Sequence, residues 1–175
     1  VVENICPTPE TAQSYPPEET KLGYSLAKKM GEFLAIWYAE NTGLDTSITR
    51  FTNVFGDDDH ADDKGHFIPV MIKKVFEASD TLRVYGDGYQ KRSFIYVEDV
   101  ISALLCLAEK GGRGEIYNVD SQQEFSVREI VRSIMKLANK NDLTIQYDQT
   151  QPTGPRRRML DTSKLTKLGW KPTHS

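Results

Sequence analysis

A chain of 175 residues is long enough for one domain with a proper core, or for part of a larger protein. Its composition, 38% hydrophobic and 27% charged with mean hydropathy −0.51, is ordinary for a globular fold. A net charge of −3 and a sequence pI near 5.7 leave nothing in the overall balance to recruit nucleic acid or an anionic membrane.

The first twenty residues hold four prolines, and Pro16-Pro17 forbids regular helix, so an ordered loop is expected there. From Tyr24 the apolar residues Leu26, Ala27, Met30, Phe33, Leu34, Trp37 and Tyr38 follow an i, i+3, i+4 rhythm, a helix that Gly43 closes. TSITRF, ending at Phe51, has strand composition. A loop with five aspartates and two glycines spans Asn53 to Gly65, and FIPVMIKKVFEAS then reads as a short helix. LRVYGDGYQKRSFIYV predicts a hairpin, two β-rich runs flanking Gly86-Asp87-Gly88. VEDVISALLCLAEKG is a strongly periodic helix and EIYNVD a strand. FSVREIVRSIMKLANK is a helix that opens on a capping box, Ser126 with Glu129. LTIQY is a strand, and DTSKLTKLGW a short helix capped by Asp161 or Thr162. Strands alternating with helices predict an α/β architecture with a largely parallel sheet.

Two cysteines, Cys6 and Cys106, make no disulfide framework, and Cys106 sits at helical apolar spacing as a core residue. There is no signal peptide and no apolar run near 18 residues, so a cytoplasmic location is the default and no membrane partner is expected. No metal site is expected. The run Arg156-Arg157-Arg158 is too short for a nucleic-acid tail; it is a solvated loop or a local anion site.

Tyr24 and Lys28 lie four residues apart and so share one helix face. Chance alone yields roughly 0.6 such pairs in this composition, so the pair by itself decides nothing. Its neighbours give it weight. Y-S-L-A-K is followed by R-F-T-N-V-F-G (Arg50 to Gly56) and H-F-I-P (His66 to Pro69). Then come V-Y-G-D-G-Y-Q-K-R-S-F-I-Y-V-E-D-V (Val84 to Val100), Y-N-V (Tyr117 to Val119) and L-G-W-K-P (Leu168 to Pro172). In this order the segments resemble the C-terminal half of an extended short-chain dehydrogenase/reductase of the NAD(P)-dependent nucleotide-sugar epimerase/dehydratase type.

The resemblance implies a phenol at Tyr24 that exchanges a proton with the sugar while a hydride moves to or from nicotinamide. A free phenol titrates near pH 10, and a lysine ammonium a few ångströms away favours the phenolate. Lys28 would also hold the nicotinamide ribose. Asn53 would hydrogen-bond the sugar or phosphate, though a plain turn asparagine is the rival reading. Arg92 would clamp the diphosphate with its guanidinium fork. Many relatives carry Asp or Glu after that arginine; Ser93 stands here, which removes an expected orienting carboxylate. Ile68 and Pro69 would line the nucleotide-base pocket, or belong to the core.

His66 before Phe-Ile-Pro, and the segment from Gln151 to Trp170, resemble the GDP-L-fucose synthase branch, in which a histidine is a second acid/base. Cys6 is the only nearby counterpart of that branch's cysteine, and its N-I-C-P setting matches poorly. A loop histidine beside an acidic run is the alternative for His66.

No G-x-G-x-x-G or G-x-x-G-x-x-G turn occurs, so the loop that cradles a dinucleotide pyrophosphate is absent from this chain. The expected fold is therefore an incomplete Rossmann-type α/β domain without its N-terminal βαβ units, plus a smaller substrate-binding domain. Residues 1–52 would carry the Tyr/Lys helix and following strand, 53–97 a substrate-binding segment, 98–120 a return to the Rossmann-type sheet, and 121–175 a second substrate-binding segment. A half-sheet exposes apolar faces, which favours self-association as a homo-oligomer or pairing with the missing part. The expected function is part of a nucleotide-sugar epimerase or epimerase-reductase using NAD or NADP. The alternatives are a UDP-sugar 4-epimerase or dTDP-glucose 4,6-dehydratase relative, and a catalytically inactive binding or assembly module.

Overall fold

The structure, a computed structural model, describes residues 5–12, 22–62, 65–151 and 154–174. The Pro16-Pro17 loop lies outside them. In chain order the elements are α1 (Leu22–Thr42), β1 (Ser47–Phe51), β2 (Asn53–Phe55), α2 (Phe67–Glu77), β3 (Thr81–Tyr85) and β4 (Lys91–Tyr96). They continue with α3 (Val97–Lys110), β5 (Glu115–Val119), β6 (Glu124–Ser126), α4 (Val127–Leu137), β7 (Thr144–Asp148), β8 (Arg157–Arg158) and α5 (Ser163–Thr166). Among the described residues no helix is long and apolar enough to cross a membrane.

The strands form three small sheets rather than one. β1 pairs with β5 in parallel, Ser47 opposite Glu115 through Phe51 opposite Val119. β3 pairs with β7 in parallel. β4 is the hub of the third sheet, with β2 parallel along Phe94–Tyr96, β8 parallel along Lys91–Arg92, and β6 antiparallel along Lys91–Ser93.

The hairpin expected over residues 82–97 does not form, because β3 and β4 belong to different sheets. Gly86 and Gly88 do take positive φ, +82 and +75. The link they shape is held by α4 instead of by a β-turn ladder: Val127 N donates to the Gln90 carbonyl (3.1 Å) and Arg128 N to the Gly88 carbonyl (3.0 Å). First-turn amides have no partner within their own helix, and two of those of α4 take these carbonyls. A Cβ on Gly88 would lie 2.4 Å from the Tyr147 ring, so the close approach itself requires glycine. Other differences are local. The loop from Asn53 opens as the short strand β2, residues 124–126 form β6 just before α4, and the helix expected over 161–170 is only the four residues of α5.

Two cores follow from the sheets. Against β3 and β7, α2 and α4 bury Met71, Val75, Val127, Val131 and Met135 on Leu82, Val84 and Leu143. Strand β3 alternates exposed and buried residues, the period expected of a strand with one covered face. The second core joins α3 (Val100, Ala103, Leu107) to Ile95, Tyr117, Val119, Leu165 and Trp170, with Cys106 packed half-buried at its margin. Asp99 closes this core: its buried carboxylate accepts from Thr173 N and Oγ1 (both 2.8 Å) and from His174 N (3.1 Å). Helix α1 is different, because Ala39 is its only buried residue while Leu26, Met30, Phe33, Leu34 and Trp37 are exposed.

The capping box of α4 is present in full: Glu129 N donates to Ser126 Oγ (3.2 Å) and Ser126 N to Glu129 Oε2 (2.7 Å). Ser126→Ala is expected to lower unfolding free energy by about 1 kcal/mol. Urea denaturation checks this, and an unchanged midpoint would mean that packing alone holds the start of α4.

Candidate substrate and active site

Strand β4 alternates: Ser93 and Ile95 are fully buried, while Arg92 and Phe94 face a cavity of about 270 Å³. Asn53 reaches the same cavity from β2, because the β2–β4 register sets it opposite Phe94. Its Nδ2 donates to the Ser93 carbonyl (2.8 Å), which fixes the amide's orientation. Phe67, Val70 and Met71 of α2 form the apolar wall, and Lys74 and Tyr85 lie at the side with the Lys74 ammonium 4.9 Å from the Tyr85 ring centroid. Among the described residues lining this cavity the charged groups are Lys74 and Arg92, and none is a carboxylate. Gln90 also lines it. Its Nε2 donates to the Tyr85 carbonyl (3.2 Å), and its buried Oε1 has no hydrogen-bond partner among the described residues.

Arg158 of β8 stands opposite Arg92 in a parallel register, so both side chains leave the same face of the sheet. Burial, and secondly the neighbouring charge of Arg158, lower the pKa of Arg92. Arg156 and Arg157 of the same run pair with Asp87 (3.8 Å) and Glu124 (2.9 Å), whereas Arg158 has no carboxylate partner among the described residues. Both side chains of β8 are exposed.

His66 precedes α2 and is exposed, with Nδ1 3.0 and 3.1 Å from the two carboxylate oxygens of Asp59. The pair lines a neighbouring cavity of about 420 Å³ with Val54, Phe55, Asp57 and Tyr96. Ile68 and Pro69 are half-buried. Ile68 turns to a third, largely apolar cavity of about 480 Å³ beside Phe94 and Ile134, and it is Phe67 and Val70 that line the Arg92 cavity.

Tyr24 and Lys28 do share a face near the start of α1, the Lys28 ammonium 5.7 Å from the Tyr24 ring centroid. Tyr24 is 70% exposed, and neither residue lines the three cavities above. What positions α1 is an ion pair not evident in the sequence pattern. Arg50 Nε and Nη2 donate to the two carboxylate oxygens of Glu32 (2.7 and 2.9 Å), and Arg50 Nη1 to the Glu10 carbonyl (2.9 Å). The Arg50 bonds hold the Glu32 carboxyl below the usual range against the opposing effect of burial. A second buried group that sequence reasoning missed is Asp120, whose carboxylate accepts from Ser93 Oγ beside Arg92.

Residues 2–120 match the NAD dependent epimerase/dehydratase family. The chain belongs to this family. A dTDP-4-dehydro-6-deoxy-D-allose reductase of Streptomyces bikiniensis is 35% identical over 150 residues, covering 85% of this chain and 45% of that protein. A GDP-L-fucose synthase of Sinorhizobium fredii is 30% identical over 166 residues, 91% of this chain and 52% of that protein. Among solved structures, RMD from Pseudomonas aeruginosa complexed with NADPH superposes with a TM-score of 0.84 at 26% identity, over 100% of this chain and 58% of that one. The chain thus spans about half the length of these epimerase/dehydratase relatives. Its mixed α/β architecture, with parallel strand pairs, is the Rossmann-like fold of these neighbours in part.

Glu32→Gln removes one side of the tether between α1 and β1 and is expected to lower stability at pH 7 by about 2 kcal/mol, the scale of hydrogen bonds to charged groups. Because the folded Glu32 pKa is lowered, its contribution is present above the ordinary carboxylate pKa and fades as pH falls through the folded value. Denaturation of both proteins along a pH series should therefore show curves that converge in acid; a constant gap would exclude the ion pair as the cause.

Proposed function

We propose that this chain carries the substrate-binding and proton-transfer residues of a nucleotide-sugar epimerase or epimerase-reductase. The observation that supports it best is the Arg92 cavity, which combines two cations, Arg92 and Lys74, and an asparagine with apolar and aromatic walls. That combination fits a ligand with a diphosphate joined to a flat base. The guanidinium of Arg92, with Arg158 beside it, offers forked donors to phosphate oxygens. Phe67, Val70 and Tyr85 suit the apolar faces of a base. The substrate class is thus a nucleoside-diphosphate sugar, as in the relatives' names.

In the reading we favour, Tyr24 passes a proton to or from the sugar oxygen, and Lys28 stabilises the phenolate and binds the nicotinamide ribose. The family's NAD or NADP would take or supply the hydride. Tyr24 and Lys28 fit the nicotinamide end of such a cofactor, but this chain has no glycine-rich strand–helix turn for its pyrophosphate. His66 is the second acid/base. Asp59 against Nδ1 would keep a proton there and leave Nε2 to exchange one beside a ketone. That dyad favours the GDP-L-fucose synthase-like branch over a UDP-sugar 4-epimerase or a dTDP-glucose 4,6-dehydratase. The exposure of Tyr24 and of the apolar side of α1 supports the competing reading, an inactive binding module that associates through α1. A cytoplasmic setting is part of the proposal and rests on the two cysteines and the lack of a long apolar run.

Calorimetric titration of the chain with GDP-, UDP- and dTDP-sugars tests the pocket. Binding of one nucleotide class is expected, weakened at least about tenfold by Arg92→Ala, as loss of a charge-assisted contact implies; no binding to any of the three overturns the reading. In a full-length enzyme carrying these residues, Tyr24→Phe is expected to cut turnover by about 10²–10⁴ with little change in nucleotide-sugar affinity. Intact turnover in His66→Ala would move the assignment to the 4-epimerases.

A further inference from the structure

Asp120 is fully buried at the end of β5, and three segments of chain converge on it. Oδ1 accepts from Ser93 Oγ and from Gln122 N (2.9 Å), while Oδ2 accepts from Leu160 N (2.8 Å). Ser93 directly follows Arg92, and Leu160 lies two residues beyond Arg158. The carboxylate therefore joins the strand bearing one guanidinium to the strand bearing the other. All three neighbours are donors at these contacts. A carboxylate, acceptor-only when ionised, satisfies them all; an amide would turn an NH₂ toward at least one N–H. Burial pushes the Asp120 pKa up, opposed by these same bonds.

We infer that Asp120 is a positioning residue, which sets the spacing of the Arg92 and Arg158 guanidiniums by locking β8 and the residues after it against β4. Other contacts also hold that segment: Arg157 pairs with Glu124 (2.9 Å), Gln122 Nε2 donates to the Leu160 carbonyl (2.8 Å) and Asn118 Nδ2 to the Asp161 carbonyl (3.0 Å). Thr8 N donates to the Met159 carbonyl (2.9 Å) and Asp161 N to the Thr8 carbonyl (2.9 Å), which ties the segment to a loop; Lys91 N donates to the Arg156 carbonyl (2.8 Å) at its start. β8 is two residues long, too short to fix its own register by pairing. Two like charges on adjacent strands repel, and a rigid anchor behind them keeps both guanidiniums on one face of the sheet. The carboxylate expected after Arg92, absent at Ser93, is thus supplied from another strand through the Ser93 hydroxyl. Its use for diphosphate binding rests on the function proposed above; its role in strand placement does not.

The test combines amide hydrogen exchange with calorimetric titration of inorganic pyrophosphate, on the full chain and on Asp120→Asn. The amides of Thr8, Asp161 and Lys91 report on the strand without bonding to Asp120. They are expected to exchange at least about tenfold faster in the variant, as one buried N–H left without an acceptor implies, while Val131 and Met135 in α4 keep their rates. Pyrophosphate affinity should fall by a similar factor. Ser93→Ala, which removes one donor and leaves the carboxylate, should show both effects more weakly and serves if Asp120→Asn does not fold. Unchanged exchange at the three reporters overturns the inference, as does acceleration shared equally by α4, which would mark general destabilisation. Faster reporters with unchanged pyrophosphate affinity overturn the positioning role. If the unaltered chain binds no pyrophosphate, the diphosphate reading falls, and exchange alone decides for or against Asp120 as the lock.

Discussion

The layout of the Arg92 cavity depends on the register of β4. That strand is paired on both edges, with β2 and β8 along one and β6 along the other. Side chains alternate with period two, so a slip of one residue would bury the Arg92 guanidinium and turn Ser93 and Ile95 outward. Moving a guanidinium into the interior costs several kcal/mol, far more than a short strand's pairing can offset. The two-sided pairing makes the slip doubly unfavourable. Asn53, Arg92, Phe94 and, through β8, Arg158 share one face because of this single register.

How much of this could be read from the sequence depends on how far apart the partners lie. The helices were legible because their apolar rhythm is local, and the α4 capping box could be named from Ser126 and Glu129 alone. The hairpin was misread for the same reason. Two β-rich runs around Gly86-Asp87-Gly88 carry a complete local hairpin pattern, while the partner of Thr81 is Thr144, in a segment with no visible link to it. β8 was invisible because two arginines have no strand propensity; β4 imposes that geometry. Arg158 surfaced only as part of a basic run whose neighbours turned out to be paired elsewhere. Ser93 appeared as a missing carboxylate, and the one that reaches it comes from Asp120, 27 residues later.

The α1 pattern shows the opposite mismatch. Its stripe of Leu26, Met30, Phe33, Leu34 and Trp37 predicts a helix correctly, yet this apolar set is exposed. Helix propensity and periodicity specify the backbone but not what covers it. The Glu32–Arg50 pair anchors α1 to β1 by a polar contact, which is directional and can hold a helix whose apolar side is open. The Tyr24–Lys28 spacing is a property of the helix alone, and would persist in any protein that forms α1. The distance from that pair to the Arg92 cavity is a tertiary quantity on which no local motif bears.

This separation has a consequence for how the two halves of the site can behave. The cavity's Asn53, Arg92, Phe94 and Lys74 are mounted on β2, β4 and α2, and α2 is packed into the first core. Tyr24 and Lys28, the pair proposed for proton transfer, stand on a helix with one buried side chain and one ion-pair tether. Binding needs only the first set in place, since phosphate recognition is satisfied by fixed donors and a covered base. Proton transfer needs both, because the phenol must reach hydrogen-bond distance of the sugar and an error of about 1 Å costs on the order of a hundredfold in rate. Under the proposed function, ligand affinity should therefore be far less sensitive than turnover to whatever packs against the exposed apolar side of α1.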